Sequence, residues 1–294
     1  MIKHWISALR LRTLPLAVSS MTMGAIAAAH NGFINIQIFI WSLVTAVLLQ
    51  ILSNLANDYG DSQHGADNAM RTGPKRAVQA GYISPQAMKI AIIVFTLLTL
   101  CSGIALLYIS FGKPDSNFML MLLIGLIAIA AAIKYTAGAK PYGYAGLGDV
   151  SVFLFFGLAG VAGSYYLYVH DIDAKVLLLS YTMGSLSMAV LNLNNMRDIL
   201  PDTLAGKKTI PVRIGFENSK YYQYMMLISA YLALFLYTPL LKMPYLVPLL
   251  LLLLMRLTEV YKIKVNDAID PLLKKNALNV LFTVIYFGII MLCI

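Results

Sequence analysis

Long apolar runs broken by short polar, turn-rich stretches set the rhythm of the chain. Runs of about twenty residues, the helix length that crosses roughly 30 Å of hydrocarbon, predict nine helices. They fall at about residues 14 to 33, 36 to 57, 89 to 110, 117 to 135, 150 to 169, 176 to 196, 222 to 240, 244 to 262 and 277 to 294. Turn signals separate them, among them His30-Asn31-Gly32, Gly112-Lys113-Pro114-Asp115, Pro141-Tyr142-Gly143 and Asp270-Pro271. The runs leave no room for a separate soluble unit, so residues 1–294 read as one polytopic domain whose function sits in the bundle or its loops.

Composition agrees: 60% of residues are hydrophobic, 12% are charged and the mean hydropathy is +0.76, where a soluble domain carries roughly a quarter charged residues. The formal net charge of +9 reads as the basic bias of cytoplasmic loops and not as a nucleic-acid surface, because no basic run is interleaved with exposed aromatics. Of the 22 Lys and Arg, all but Lys113, Lys175 and Lys242 fall in loops on one predicted side. That places the N-terminus inside and the C-terminus outside. Lys3, Arg10 and Arg12 before an apolar run imitate a signal peptide, but a first membrane helix explains the same letters. Cys101 and Cys293 lie in or at the end of apolar runs without metal-ligand spacing and read as small core residues.

Two acidic clusters interrupt this apolar background, each just after an apolar run. The first is Asn57-Asp58-Tyr59-Gly60-Asp61 with Asp67 beyond, and the second is Asn194-Asn195-Met196-Arg197-Asp198 with Asp202 beyond. On a helix Asn54, Asp58 and Asp61 share a face, and so do Asn194, Asp198 and Asp202. Both clusters fall on the same predicted side. Asp58 and Asp198 lie four predicted helices apart, which hints at two four-helix units around a central cavity followed by a ninth helix.

Carboxylates near a bilayer cost about 2.5 to 3.5 kcal/mol each at its centre, so they usually face a cavity. What gathers several of them is a hard cation, and Mg²⁺ is typically held by a few carboxylates, water and substrate phosphates. His64 is the only histidine nearby, which disfavours zinc. Arg71, Lys75 and Arg76 follow the first cluster, and Lys207 and Lys208 follow the second. Acid-rich segments alternating with basic ones suit a diphosphate bridged by Mg²⁺. The loop from Lys134 to Asp149 combines tyrosines, glycines and cations. A tyrosine face there would stabilise a developing carbocation, with Lys134 or Lys140 holding the leaving group.

These letters resemble the UbiA superfamily of intramembrane prenyltransferases and, within it, the 1,4-dihydroxy-2-naphthoate polyprenyltransferases of menaquinone synthesis. Asn57, Asp58 and Asp61 match the superfamily's acidic pattern, with its last acid displaced to Asp67 in the Gly65-x-Asp67 form similar to the naphthoate branch. Tyr135-Thr136, Gly146-Leu147-Gly148-Asp149 and Asn194-Asn195-x-Arg197-Asp198-x-x-x-Asp202-x-x-x-Gly206-Lys207-x-Thr209 resemble that branch too. Ala139 stands where it more often has proline. The likeness runs from about Arg10 to Gly215, and the last three helices resemble the family only in hydropathy.

The resemblance implies an all-α membrane protein, an enzyme of a bacterial inner membrane with its active-site loops cytoplasmic. It would join a polyprenyl diphosphate to 1,4-dihydroxy-2-naphthoate with loss of diphosphate, CO₂ and a proton, giving a demethylmenaquinone. Asp58, Asp61, Asp198 and Asp202 would hold Mg²⁺, with Tyr135 at the reacting centre. Asn54, Asn57, Asp67, Arg71, Lys75, Arg76, Lys134, Lys140, Arg197 and Lys207 would bind substrate. Two alternatives stay open: another aromatic acceptor, 4-hydroxybenzoate or homogentisate, and an acid-lined secondary transporter. Transporters usually place such acids at mid-membrane on broken helices, whereas these sit at helix ends.

Overall fold

The computed structural model describes residues 2–64, 76–265 and 268–294. Its long elements are all helical: α1 (Leu14–His30), α2 (Ile36–Gln63), α3 (Pro85–Phe111), α4 (Ser116–Lys134), α5 (Gly148–Val169), α6 (Val176–Arg197), α7 (Ile210–Tyr237), α8 (Val247–Lys262) and α9 (Asp270–Cys293). A short helix, Ile2–Leu9, precedes α1, and another, Ile199–Leu204, follows α6. By length and composition eight helical segments of the described residues could cross a membrane. The exception is α7, which is long enough but carries Arg213, Glu217, Lys220 and five tyrosines.

Local chemistry starts and stops these helices. The Asn35 side chain accepts from Gln37 N and Ile38 N at 3.0 and 3.2 Å, capping α2. Ser84 accepts from Ala87 N at 3.2 Å before Pro85 in the first turn of α3, and Asp115 accepts from Phe118 N at 2.9 Å at the head of α4.

The packing turns polarity inward. Ile90, Ile93 and Leu97 of α3, Leu120, Leu123 and Ile127 of α4, and Leu250, Leu251 and Leu254 of α8 are exposed and suit lipid. Cys101 and Cys293 also lie exposed on this outer surface and so are not the core residues their apolar neighbours predicted: in a helix bathed in lipid, an apolar run does not distinguish core from periphery. The hub is α6, whose apolar window is 72% buried against 11% for α4. It packs on α7 and on the middle of α5, while α9 packs on α1 and α6. Polar ties join these helices: Asn192 donates to Gln223 Oε1 at 2.8 Å between α6 and α7, and Tyr231 and Thr283 meet at 3.0 Å between α7 and α9. Such bonds average about 0.6 kcal/mol in a bilayer, so close backbone approach must supply much of the remainder. Gly24 of α1 provides one case: a Cβ there would stand 2.5 Å from Val161 O and 2.8 Å from Ser164 Cβ of α5.

A cavity of about 450 Å³ lies among α1 to α6 and the start of α9. Among the described residues neither α7 nor α8 lines it. The hub α6 stands between α7 and the cavity.

Candidate active site

The end of α2 builds one side of the cavity's polar end. Asn54 Nδ2 donates to Leu9 O at 2.9 Å and Thr13 Oγ1 at 3.0 Å, and Gln50 Nε2 donates to the same hydroxyl at 3.3 Å. Thr13 in turn donates to Arg10 O at 2.9 Å. These bonds fix a turn in which Arg10 is left-handed, at φ 49°, a conformation a non-glycine residue keeps only where its surroundings hold it. The turn brings Arg10 and Arg12 to the cavity wall. Asn57 Oδ1 accepts from Thr136 Oγ1 at 3.0 Å.

Asp58 and Asp61 have different surroundings. Both oxygens of Asp58 are taken by backbone N–H groups, Ala77 N at 3.0 Å and Val78 N at 3.2 Å, and Asp58 does not line the cavity. It anchors the segment that places Arg76. Asp61 does line the cavity, and three groups converge on it: Tyr144 OH at 2.9 Å, Lys207 Nζ at 3.1 Å and Arg76 Nη2 at 3.5 Å.

The second acidic cluster faces the first. A continuous helix would align Asn194, Asp198 and Asp202, but the chain breaks at Asp198 (φ −101°, ψ 17°). The short helix Ile199–Leu204 then carries Asp202 back to the cavity. The break leaves Asp198 at the end of α6, chelated by Arg197 through Nε at 2.9 Å and Nη2 at 2.5 Å. Lys207 Nζ reaches Asp202 Oδ1 at 3.4 Å as well as Asp61, and lies 4.7 Å from the centre of the Tyr144 ring. One ammonium thus ties the two clusters across the cavity.

Of the sequence candidates, Asn54, Asn57, Asp61, Arg76, Tyr135, Asp198, Asp202 and Lys207 line this one cavity. Asp58 and Arg197 sit behind it, and Lys134 and Lys140 are exposed away from it. Asp67, Arg71 and Lys75 lie outside the described residues. Sequence reasoning did not select Arg10, Arg12, Tyr144 or Asp270. The two arginines had looked like topology alone, and Asp270 like a turn residue. Tyr135 packs over Gly143 and Gly148 with its ring 5.4 Å from Tyr142, edge to face. Burial and then the Asp149 charge push its hydroxyl pKa well above the usual tyrosine value, so it presents a neutral ring.

Eight charged side chains line the cavity among the described residues: Arg10, Arg12, Arg76, Lys207 and Lys274 against Asp61, Asp198 and Asp202. The excess of cations suits a polyanion. The acids supply hard oxygen donors beside the amides of Asn57, Asn194 and Asn195. Among the described residues no three His, Cys, Asp or Glu close around one point. The donor set therefore fits a cation held by one or two carboxylates plus phosphate oxygens and water, the usual manner of Mg²⁺, and not a closed protein cage.

Burial pushes the pKa of Asp202 up to about 6; Lys207 opposes the shift, and the Asp198 and Asp61 charges add to it. With its folded pKa above its unfolded one, the native state binds more protons between about pH 4 and pH 6, so stability falls as pH rises through that window. The ligand-free protein in detergent is expected to lose up to about 3 kcal/mol on going from pH 4 to pH 7 at this site. Thermal unfolding of wild type beside Asp202→Asn checks this, and the variant should lack that part of the slope.

A model of the UbiA prenyltransferase family matches residues 17–285. Among curated proteins, the chain is 44% identical to a 1,4-dihydroxy-2-naphthoate octaprenyltransferase of Haemophilus influenzae, over 77% of this chain and 74% of that one. It is 43% identical to an Escherichia coli protein of the same name, over 79% and 75%. Among solved structures, a UbiA homolog from Archaeoglobus fulgidus bound to GPP and Mg²⁺ superposes with a TM-score of 0.65 at 17% identity, over 97% of this chain and 99% of that one.

Proposed function

The chain belongs to the UbiA prenyltransferase family, and from that premise we propose that it prenylates 1,4-dihydroxy-2-naphthoate with a polyprenyl diphosphate in the synthesis of menaquinone. The observation that carries this reading is a cavity in which a cation-rich end with three carboxylates adjoins walls of leucine, isoleucine and phenylalanine. The names of relatives 43 and 44% identical support the acceptor.

The allylic C–O bond of the diphosphate breaks with its electron pair leaving on oxygen. The electron-rich ring carbon of the naphthoate then bonds to the allylic carbon, and the carboxyl group leaves as CO₂ and a proton. The product has the hydroquinone oxidation level, and a separate oxidation that passes two electrons and two protons to an external quinone or O₂ acceptor gives the demethylmenaquinone. Lys207, Arg76, Arg10 and Arg12 would take phosphate oxygens, the guanidiniums in bidentate fashion. Tyr135 and Tyr144 would turn ring faces toward the allylic cation. Leu100, Ile104, Phe155 and Phe156 would hold the isoprenoid and exclude the water that quenches the cation. Asp61, Asp198 and Asp202, one or two of them to an ion, would hold Mg²⁺ together with phosphate oxygens and water, and the bound cation would neutralise charge on the departing diphosphate.

The same reading puts the cavity's polar end at the cytoplasmic face of a bacterial inner membrane, because the basic loops cluster on that side. Mass spectrometry of products from a panel of prenyl diphosphates and acceptors tests it. A prenylated dihydroxynaphthalene with equimolar CO₂, suppressed by EDTA and restored by Mg²⁺, is the expected outcome. Prenylation of 4-hydroxybenzoate or homogentisate instead would move the chain to another branch.

A further inference from the structure

Asp270 opens α9, beyond the motifs on which the family resemblance rests, yet it joins the candidate site from behind. Arg12 Nη1 donates to both of its oxygens at 2.9 Å, and Arg197 Nη1 donates to Oδ1 at 2.6 Å. The same Arg197 chelates Asp198 through Nε and Nη2, and Nη2 also reaches Asn194 Oδ1 at 2.9 Å. The turn before α1, the end of α6 and the start of α9 therefore meet in one chain of charges, Arg12 to Asp270 to Arg197 to Asp198.

Exposure along this chain is graded. The side chains of Arg197 and Asp198 are 4% and 5% exposed, whereas Asp270 is 37% exposed. Were Asp198 its sole anionic partner, Arg197 would lose that partner whenever the Asp198 oxygens turned to another cation, and a buried charge stripped of its counter-ion is costly. Asp270 supplies a second anchor that persists through that exchange.

We infer that Asp270 is a positioning residue that keeps Arg197 paired and Arg12 at the cavity wall while Asp198 accepts a divalent cation with the diphosphate. This rests on the prenyl diphosphate reading above. It acts through the two arginines and not by touching substrate. Neutralising Asp270 should then tighten Arg197 onto Asp198 and weaken binding of cation and diphosphate together. The acceptor should bind as before.

The test is calorimetric titration of geranyl diphosphate into the purified full chain in detergent, without acceptor, over a range of Mg²⁺ concentrations. Asp270→Asn is expected to raise the Mg²⁺ needed for half-maximal binding by about 10- to 100-fold, the usual effect of removing an outer partner of a ligating group. Asp270→Glu should restore most of the loss, and the KM for naphthoate should be unchanged in both variants. Asp270→Ser carries the same expectation as the asparagine variant should that one fold poorly. Wild-type Mg²⁺ dependence in the neutral variants would overturn the inference. So would a loss that tracks the fraction unfolded in thermal melts and is not rescued by glutamate. If wild type bound no geranyl diphosphate at any Mg²⁺ concentration, the prenyl diphosphate reading would fail and take this inference with it.

Discussion

Replacing Asp61 by alanine is expected to lower kcat/KM for prenyl transfer by about 10²- to 10³-fold, the range seen when one charge-stabilising group is removed from an enclosed site. Asp61 is where three side chains from three parts of the chain converge: Tyr144 from the loop before α5, Arg76 from the segment before α3 and Lys207 from the segment before α7. Without its carboxylate, Lys207 loses one of the two acids it bridges and keeps Asp202, and Tyr144 loses an acceptor for its hydroxyl. The thermal midpoint should move less than in a variant that strands buried backbone donors, since Lys207 keeps Asp202 and the Arg76 and Lys207 side chains remain partly exposed, at 11% and 13%. Asp58→Ala provides the contrast. It would strand the N–H groups of Ala77 and Val78, at about 1 to 3 kcal/mol for a buried donor left unmade, and it would release Arg76 with them. Its activity should fall together with its melting temperature. Side-by-side melting and turnover measurements separate the two, and an Asp61→Ala enzyme with near wild-type turnover would remove Asp61 from the site.

That contrast marks what the sequence could and could not disclose. The helices were legible because most of the apolar runs are long enough to cross a bilayer and turn signals separate them. Two of the misjudged boundaries have polar causes. Helix α2 continues to Gln63 and not to 57 because its last turns carry Asn57 and Asp61 to the cavity and Asp58 to the N–H groups of Ala77 and Val78, and such residues look like loop on a hydropathy scale. Helix α7 begins at Ile210 and not at 222, as Pro211 starts a charged stretch that runs past Gly215, where the backbone kinks at φ 79°.

Within the site, spacing revealed that Asp61 and Asp202 belong together but not what Asp58 does. A helical period treats a carboxylate that caps a loop and one that faces a cavity alike. Nor could it place Asp198, because the helix it assumed breaks there. Lys134, Lys140 and Lys207 are all basic residues at a helix end or in a short loop, yet of the three only Lys207 reaches the carboxylates. The pairing of Arg12 with Asp270 spans 258 positions, a distance at which no local pattern carries information.

Gly60→Ala is expected to damage both stability and turnover, because α2 and the turn after α4 touch at this residue. A Cβ at Gly60 would stand 2.5 Å from the carbonyl carbon and oxygen of Thr136 and 2.7 Å from its Oγ1. Those distances are too short to keep, so α2 must withdraw from the turn. Thr136 Oγ1 binds Ala56 O at 3.1 Å and Asn57 Oδ1 at 3.0 Å, one turn before Gly60, so withdrawal breaks the strap that joins the two segments. Asp61 follows Gly60 directly and Tyr144 belongs to the loop that the strap holds, so their 2.9 Å bond lengthens with it. Overpacking of this kind costs about 1 to 3 kcal/mol, and a displacement near 1 Å at a positioned group costs about 10²-fold in rate. Adding Thr136→Ala should not rescue the variant, since two of the three nearest atoms are backbone. Melting curves and single-turnover rates of the single and double variants decide the matter: rescue by the double variant, or full activity of Gly60→Ala alone, would mean that α2 and this turn are not held in register by contact at Gly60.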